Sequence, residues 1–429
     1  MGAWWKLFLC LASANLLLFL ARSRVESWLS CRAGFYRLLR VVNFEILIAF
    51  FAAYFLAPRL HRLVPVREHR AKDAVNTLLG LGLALVLCAY GGHYVLLAQE
   101  PHQIVFLCFI LLGFFIHLAV LLLGAWSLET ACKRLGLPDS GYIGCLLQDE
   151  RLHTAVALLL SIILTLAGFL VTRQPPRPVF QDIHIKELPE SLSGYRIALV
   201  TDVHIGPTVG KRQVERMVNI VNSLNPDAVA IVGDLVDGFR ESLRASLLPL
   251  RKLNASDGVF FVTGNHEYYH SSVDDWLAEI QALGIHILRN SHRSVHKGPV
   301  TICFAGVDDI SADKALVSGH GMDAEQALSG CEAGAVRVLL AHQPSAVAKI
   351  RGLHPQLKAD LWLAGHTHAG QLYIIAPAMW LISSYLVGHY ELGGGAGQLY
   401  VSPGVFYGGP PVKMARLCQI PMLTLRPHP

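Results

Sequence analysis

"DLWLAGHTHAGQLY", residues Asp360–Tyr373, runs from four apolar residues into Gly-His-Thr-His. A short apolar run that stops at a glycine reads as a buried strand. His366 and His368 then set two imidazoles one residue apart at its end. A turn that happens to carry two histidines would look the same as half of a metal site. The choice between them depends on whether other strands end in matching groups.

They do. "RIALVTD" (Arg196–Asp202), "AVAIVGD" (Ala228–Asp234), "VFFVTGN" (Val259–Asn265) and "VRVLLAH" (Val336–His342) are apolar runs that close on Asp, Asn or His. The first continues to His204, the second to Asp237, and the third to His266 and Glu267. Between them, Val214, Met217, Val218 and Val221 recur at helical spacing within Lys211–Leu224, and a second helix is expected over Asp274–Leu283. Short strands are expected near Ile285–Leu288 and Val300–Ala305. Strands alternating with helices predict an α/β domain with its sheets covered by helices. Sites in such sheets form beyond the carboxyl ends of the strands, so five strand ends bring Asp, His and Asn to one rim. Carboxylates and imidazoles suit Mn, Fe or Zn, and the set contains no thiolate. Seven donors exceed the needs of one ion. They suffice for two ions roughly 3.5–4 Å apart sharing a carboxylate, the arrangement used for in-line phosphoryl displacement.

Asp202-x-His204, Gly233-Asp234-x-x-Asp237, Gly264-Asn265-His266-Glu267, His342 and Gly365-His366-x-His368, taken as a set and in this order, resemble the signature of the calcineurin-like metallophosphoesterases. The resemblance covers about residues 180–425. It implies a four-layer α/β/β/α sandwich of two facing sheets with helices outside. It implies one ion on Asp202, His204, Asp234 and His368, and a second on Asp234, Asn265, His342 and His366, with Asp234 as the bridge. It further implies attack by a metal-activated water on a phosphomonoester, phosphodiester or pyrophosphate, with His266 contacting the phosphate or protonating the leaving oxygen. Asp237 either orients one of these groups from behind or caps the next helix. Glu267 is expected to be a structural turn or cap residue. His270, His286, His292, His296, His320 and His389 have no motif context and read as surface or packing residues. Two departures stand out. Arg240 falls one place later than in the phosphoprotein phosphatases, which points away from a protein substrate. Ala369 stands where this branch often has a second glycine.

The first 172 residues follow a different pattern. The chain of 429 residues is 53% hydrophobic, and the excess lies here. Five apolar segments, 7–21, 41–57, 74–98, 104–126 and 153–171, predict a multi-pass membrane region over residues 1–172. Arg173–Pro178 predicts a proline-rich linker over 173–180, leaving 181–429 for the phosphoesterase domain. The net charge of +5 arises from basic collars between apolar runs, so a membrane and not nucleic acid is the expected partner. Lys6, Arg59, Arg62, Arg67, Arg70, Lys72, Lys133, Arg134 and Arg151 form the collar expected to face the cytoplasm, which places the C-terminal domain outside or in a lumen. Asn254-Ala255-Ser256 is a glycosylation sequon that agrees. The nine cysteines match no zinc-finger or disulfide spacing and read as small buried residues. His93, His102 and His117 are expected to pack between helices. Ile374–Gly388, directly after the last candidate ligands, is either core filler or an apolar lip that meets the bilayer or an acyl chain, which would suit a lipid phosphoester. Against the membrane-anchored hydrolase stands a second class of function, an inactive metal-binding module on a membrane scaffold. The intact ligand set and His266 favour the hydrolase.

Overall fold

A computed structural model describes residues 51–428 except 66–67, 96–102, 138–140, 271 and 316. Before residue 51 it describes the single positions 39, 43, 47 and 48. The apolar segment 7–21 and residues 41–42, 44–46 and 49–50 of the segment 41–57 therefore lie outside the described residues.

The other three apolar segments are helices. After α1 (Ala57–Leu63) come α2 (His69–Val95), α3 (Gln103–Arg134), the short α4 (Gly141–Gln148) and α5 (Glu150–Thr172). α2, α3 and α5 are each long and apolar enough to cross a membrane. Their packed face is built from Leu79, Val86, Cys108, Leu112, Leu118, Leu122 and Ala157. The hydroxyl of Thr165 on α5 lies 3.0 Å from Nδ1 of His117 on α3, the packing role expected of that histidine. At the end remote from residue 173, Arg59 and Glu129 form a buried ion pair, and Nδ1 of His153 is 2.7 Å from the same carboxylate. Arg62 and Lys133 both pair with Glu150. The described basic residues of the second collar thus gather at one end of the helices.

α5 stops at Thr172, and the prolines at positions 175, 176 and 178 suggest a linker. The unpaired stretch is shorter than that pattern implies. β1 (Arg177–Ile185) already runs parallel to the last strand of the chain, β12 (Gln419–Pro427). It is an edge strand, where proline is tolerated because one row of amides needs no partner. The chain then continues through β2 (Arg196–Val200), α6 (Lys211–Ser223), β3 (Ala228–Val232), α7 (Arg240–Leu247), β4 (Val259–Val262), α8 (Val273–Gln281), β5 (His286–Ile287), β6 (Ser291–Lys297) and β7 (Val300–Gly306). α9 (Ala312–Ala315), α10 (Ala324–Leu328), β8 (Val336–Leu340), α11 (Pro344–Leu353), β9 (Leu361–Ala364), α12 (Ala376–Ile382), β10 (Gly388–Glu391) and β11 (Gln398–Val401) precede β12.

Two six-stranded sheets result, ordered β1-β12-β2-β3-β4-β5 and β10-β11-β9-β8-β7-β6. Their inner faces share one core: Ile197, Leu199, Phe260 and Leu423 from the first meet Ile302, Phe304, Val338 and Leu363 from the second. Phe260 and Phe304 stack across the gap with ring centroids 4.5 Å apart. The outer face of the first sheet packs on α6, α7 and α8 through Val214, Met217, Leu243 and Trp276. That of the second packs on α10 and α11 through Ala327, Val347, Ile350 and Trp362. Strands covered on both faces bury every side chain, which is why these runs read as continuously apolar. Each such side chain contributes about 1.5–3 kcal/mol on burial. The fold is therefore a four-layer α/β/β/α sandwich.

One cysteine expectation is overturned. Cys303 on β7 and Cys331 after α10 form a disulfide, with Cα atoms 5.7 Å apart across 28 residues. Two isolated cysteines at that separation match no framework spacing, and only the packing of α10 against β7 brings them together.

Candidate metal centre

β2, β3 and β4 are parallel neighbours, as are β7, β8 and β9. Their carboxyl ends open on the same rim, and every candidate ligand lies in the first residues beyond them. The backbone there is bent away from ordinary extended geometry. Asp202 (φ 53), His204 (φ 48), Asp234 (φ 51), His366 (φ 69) and His368 (φ 48) all occupy the left-handed region. An L-residue in that region costs of order 1–3 kcal/mol, and such strain gathers at functional sites. Ala369 (φ 54) shares it, where glycine would be relaxed. Close approach also requires glycine. A Cβ at Gly264 would lie 2.2 Å from Oδ1 of Asp234, and one at Gly365 would lie 2.4 Å from Oδ2 of Asp202.

The loops are tied to one another by the acids themselves. Asp202 accepts from the backbone N–H of His366 at 3.0 Å, joining the ends of β2 and β9. Asp234 accepts from the N–H of His266 at 2.9 Å, joining β3 to β4. Glu267 accepts four backbone N–H groups, from Asp234, Leu235, Val236 and Gly264, at 2.6–3.1 Å. This fits the structural role expected of it. Burial, and then the Asp234 carboxylate, push Glu267 up to about 7, against N–H donors that favour the anion.

All seven candidate ligands converge. Donor atoms of Asp202, His204 and His368 fall within 4.8 Å of one another, as do those of Asp234, His342 and His366, and those of His204, Asp234 and His266. Nε2 of His342 lies 3.1 Å from Oδ2 of Asp234, and Nε2 of His368 lies 3.4 Å from Oδ1 of Asp202. The Nε2 atoms of His204 and His368 are 3.0 Å apart. Asn265 turns its amide N–H to the Tyr269 hydroxyl at 3.1 Å, which leaves its buried Oδ1 without a hydrogen-bond partner. His342 is held by Nδ1 on the Val232 carbonyl at 2.8 Å, which turns Nε2 toward the cluster. Buried oxygen and imidazole donors gathered in this way, with Oδ1 of Asn265, Nε2 of His342 and Nδ1 of His366 left without hydrogen-bond partners, fit a pair of cations.

The charges respond to this crowding. Burial opposes ionisation of both Asp234 and His342, but their mutual attraction outweighs it, holding Asp234 well below its ordinary range and His342 well above. Burial and the His266 imidazole lower His204 to about 3; burial and His342 lower His366 to about 4. Neutral imidazoles are the form that ligates metal. Burial raises Asp202 to about 6.

Asp237 is not a helix cap, since that position before α7 is taken by Phe239. Its Oδ1 lies 2.8 Å from Nδ1 of His266 and accepts from Nε2 of His270 at 3.2 Å. His270, read from the sequence as packing, is buried beneath this pair; only its place four residues after His266 hinted at it. His286, His292, His296, His320 and His389 lie away from the rim, as expected. Lys413 is a further residue that sequence reasoning missed. Fully buried, it donates to the carbonyls of Pro403 and Gly404 at 2.6 and 3.4 Å, and to that of Phe406. It thereby fixes the loop whose Gly404 abuts Asp202 and whose Gly408 faces His204 and His368.

Above the cluster is a cavity of about 310 Å³. Its floor is His204, Asp234, Asn265, His266 and His368, and one wall carries Ile375 and Met379 from the start of α12. α12 does not fill a core. Trp380, Leu381 and Ile382 are 70%, 89% and 77% exposed.

A family model described as calcineurin-like phosphoesterase matches residues 195–370. The chain is 38% identical to a transmembrane protein with metallophosphoesterase domain from Danio rerio over 349 residues, 81% of this chain and 79% of that protein. It is 34% identical to the protein of the same name from Bos taurus, covering 85% of this chain and 83% of that protein. An uncharacterized metallophosphoesterase of Helicobacter pylori is 38% identical over 250 residues, 58% of this chain and 63% of that protein. The chain belongs to the calcineurin-like phosphoesterase family.

Proposed function

We propose that this member of the family is an active, membrane-anchored, two-metal phosphoesterase. The observation that carries the proposal is the meeting of donor groups around Asp234, with buried donor atoms left unpartnered among them. Asp202, His204, Asp234 and His368 would hold one ion, and Asp234, Asn265, His342 and His366 the other. The donor set suits Mn, Fe or Zn. When bound, such a pair lowers the pKa of a coordinated water and offsets charge on the phosphoryl oxygens. The rest is the work of the chain. Asp237, 2.8 Å from Nδ1 of His266, orients that ring and leaves Nε2 to contact the phosphate or protonate the leaving oxygen.

We read residues 1–172 as a multi-pass membrane region and the sandwich, which begins with β1 at Arg177 rather than at residue 181, as the phosphoesterase domain. The apolar residues of α12 beside the cavity support a lipid-borne phosphoester as substrate. The Cys303–Cys331 disulfide and the exposed Asn254 sequon support a catalytic domain that faces an oxidising, non-cytosolic compartment.

The test is metal content of the purified full chain, with hydrolysis of an aryl phosphodiester and of lipid phosphates. Asp234→Asn should lose metal and turnover together. His266→Ala should keep its metal and lose turnover about a hundredfold or more. Metal without turnover in the wild type would favour the inactive binding module.

A further inference from the structure

Where the membrane helices meet the sandwich lies a second cavity, of about 520 Å³. Arg173, Arg212 and Arg216 line it, with Gln103, Thr172 and Gln213 as polar neighbours and Phe106 and Phe406 as apolar ones. No lining residue is acidic. Among the described residues, none of the three guanidinium groups has a carboxylate within ion-pair distance. Arg173 rests over the Phe169 ring, 5.9 Å from its centroid.

One of these arginines, Arg212, sits where a helix disfavours it. α6 begins Lys211-Arg212 and carries no acidic residue in its first turn, so cations crowd the positive end of the helix dipole. The arrangement opposes helix stability and suits an anion bound at that end. Its height is informative as well. Arg173 directly follows the membrane-length α5, and Gln103 opens the membrane-length α3. The cavity therefore lies where a spanning helix emerges, at the level of lipid phosphates.

We infer that this cavity binds the phosphate-bearing headgroup of an anionic membrane lipid, separately from the metal centre. The arginines pair with phosphate oxygens, and Phe106 and Phe406 receive the apolar part beneath it. The inference needs no hydrolytic activity. It rests on α3 and α5 lying in the bilayer, which flotation of the full chain with neutral phosphatidylcholine vesicles checks separately.

The experiment titrates the detergent-solubilised full chain with short-chain phosphatidic acid, short-chain phosphatidylcholine and inorganic phosphate, reading the thermal midpoint. Phosphatidic acid should raise it saturably, and Arg212→Gln/Arg216→Gln should bind at least about tenfold more weakly. Without lipid, the same variant should melt no lower than wild type, because it relieves the crowding at the start of α6. If it does not fold, Arg173→Gln, outside the sandwich core, provides the same reading. Equal protection of wild type and variant by phosphatidic acid would overturn the inference. So would equal protection by phosphatidylcholine. Protection by inorganic phosphate at the same concentrations would assign the cavity to a soluble phosphate instead.

Discussion

At the scale of single residues, Glu267 links the two loops that carry Asp234 and Asn265. Both its oxygens are occupied by N–H donors, two on each. An amide nitrogen at one of those positions would turn donor against donor. Glu267→Gln should therefore destabilise the folded chain by about 2–5 kcal/mol, read as a lower thermal midpoint, and weaken metal retention with it. A midpoint equal to wild type would show that the clamp carries no such strength. The candidate ligands are legible in the sequence because residue type and place coincide: Asp, His and Asn recur directly after apolar runs. What surrounds them is less so. Glu267 reads only as a turn residue, because three of its donors sit on a loop more than thirty residues away in sequence. His270 and Lys413 act through groups from other loops; the place of His270 four residues after His266 is a slight hint, and nothing in the immediate sequence marks Lys413.

At the scale of elements, the buried strands are legible and the edges are not. β2, β3, β4, β8 and β9 are covered on both faces and read as apolar runs, interrupted in β8 only by the half-buried Arg337. β1 and β6 bury only part of their length, so neither gives a clean pattern. β1 begins among prolines that argue for a linker, and it becomes a strand only because β12 supplies a partner 242 positions further along. α12 is the converse case. Its apolar run suggests burial or a lip, and the exposure of its tip supports the lip. Changing Trp380, Leu381 and Ile382 together to serine should lower turnover of lipid phosphates about tenfold or more while sparing a soluble aryl phosphodiester, since the loss of apolar surface at a bilayer affects only the lipid. Equal loss on both substrates would mean that α12 supports the fold rather than the encounter with lipid.

At the scale of the whole molecule, sidedness becomes testable. The described residues of the second basic collar gather at the end of the helices remote from the sandwich, and the sandwich carries a disulfide and an exposed Asn254. Expressed in a eukaryotic secretory system, the chain should shift in mobility on enzymatic deglycosylation, and Asn254→Gln should abolish the shift. A wild-type chain that never shifts, with Cys303 and Cys331 alkylated without prior reduction, would reverse the orientation. The two halves are also joined away from their covalent junction. Val412 packs against Gly113 of α3 and Gly168 of α5, where a Cβ on Gly168 would come within 2.5 Å of it. The Thr172 hydroxyl donates to the Pro411 carbonyl at 3.0 Å. A few positions earlier, that same segment supplies the glycines pressed against Asp202, His204 and His368. One short stretch thus has its tip wedged among the membrane-length helices and its base under the candidate ligands. A version of this protein cut free at residue 172 would keep every ligand yet lose the seat of that wedge. Metal affinity or any turnover measured on that truncated form would then describe a slackened site, and the figures should not be carried over to the intact chain.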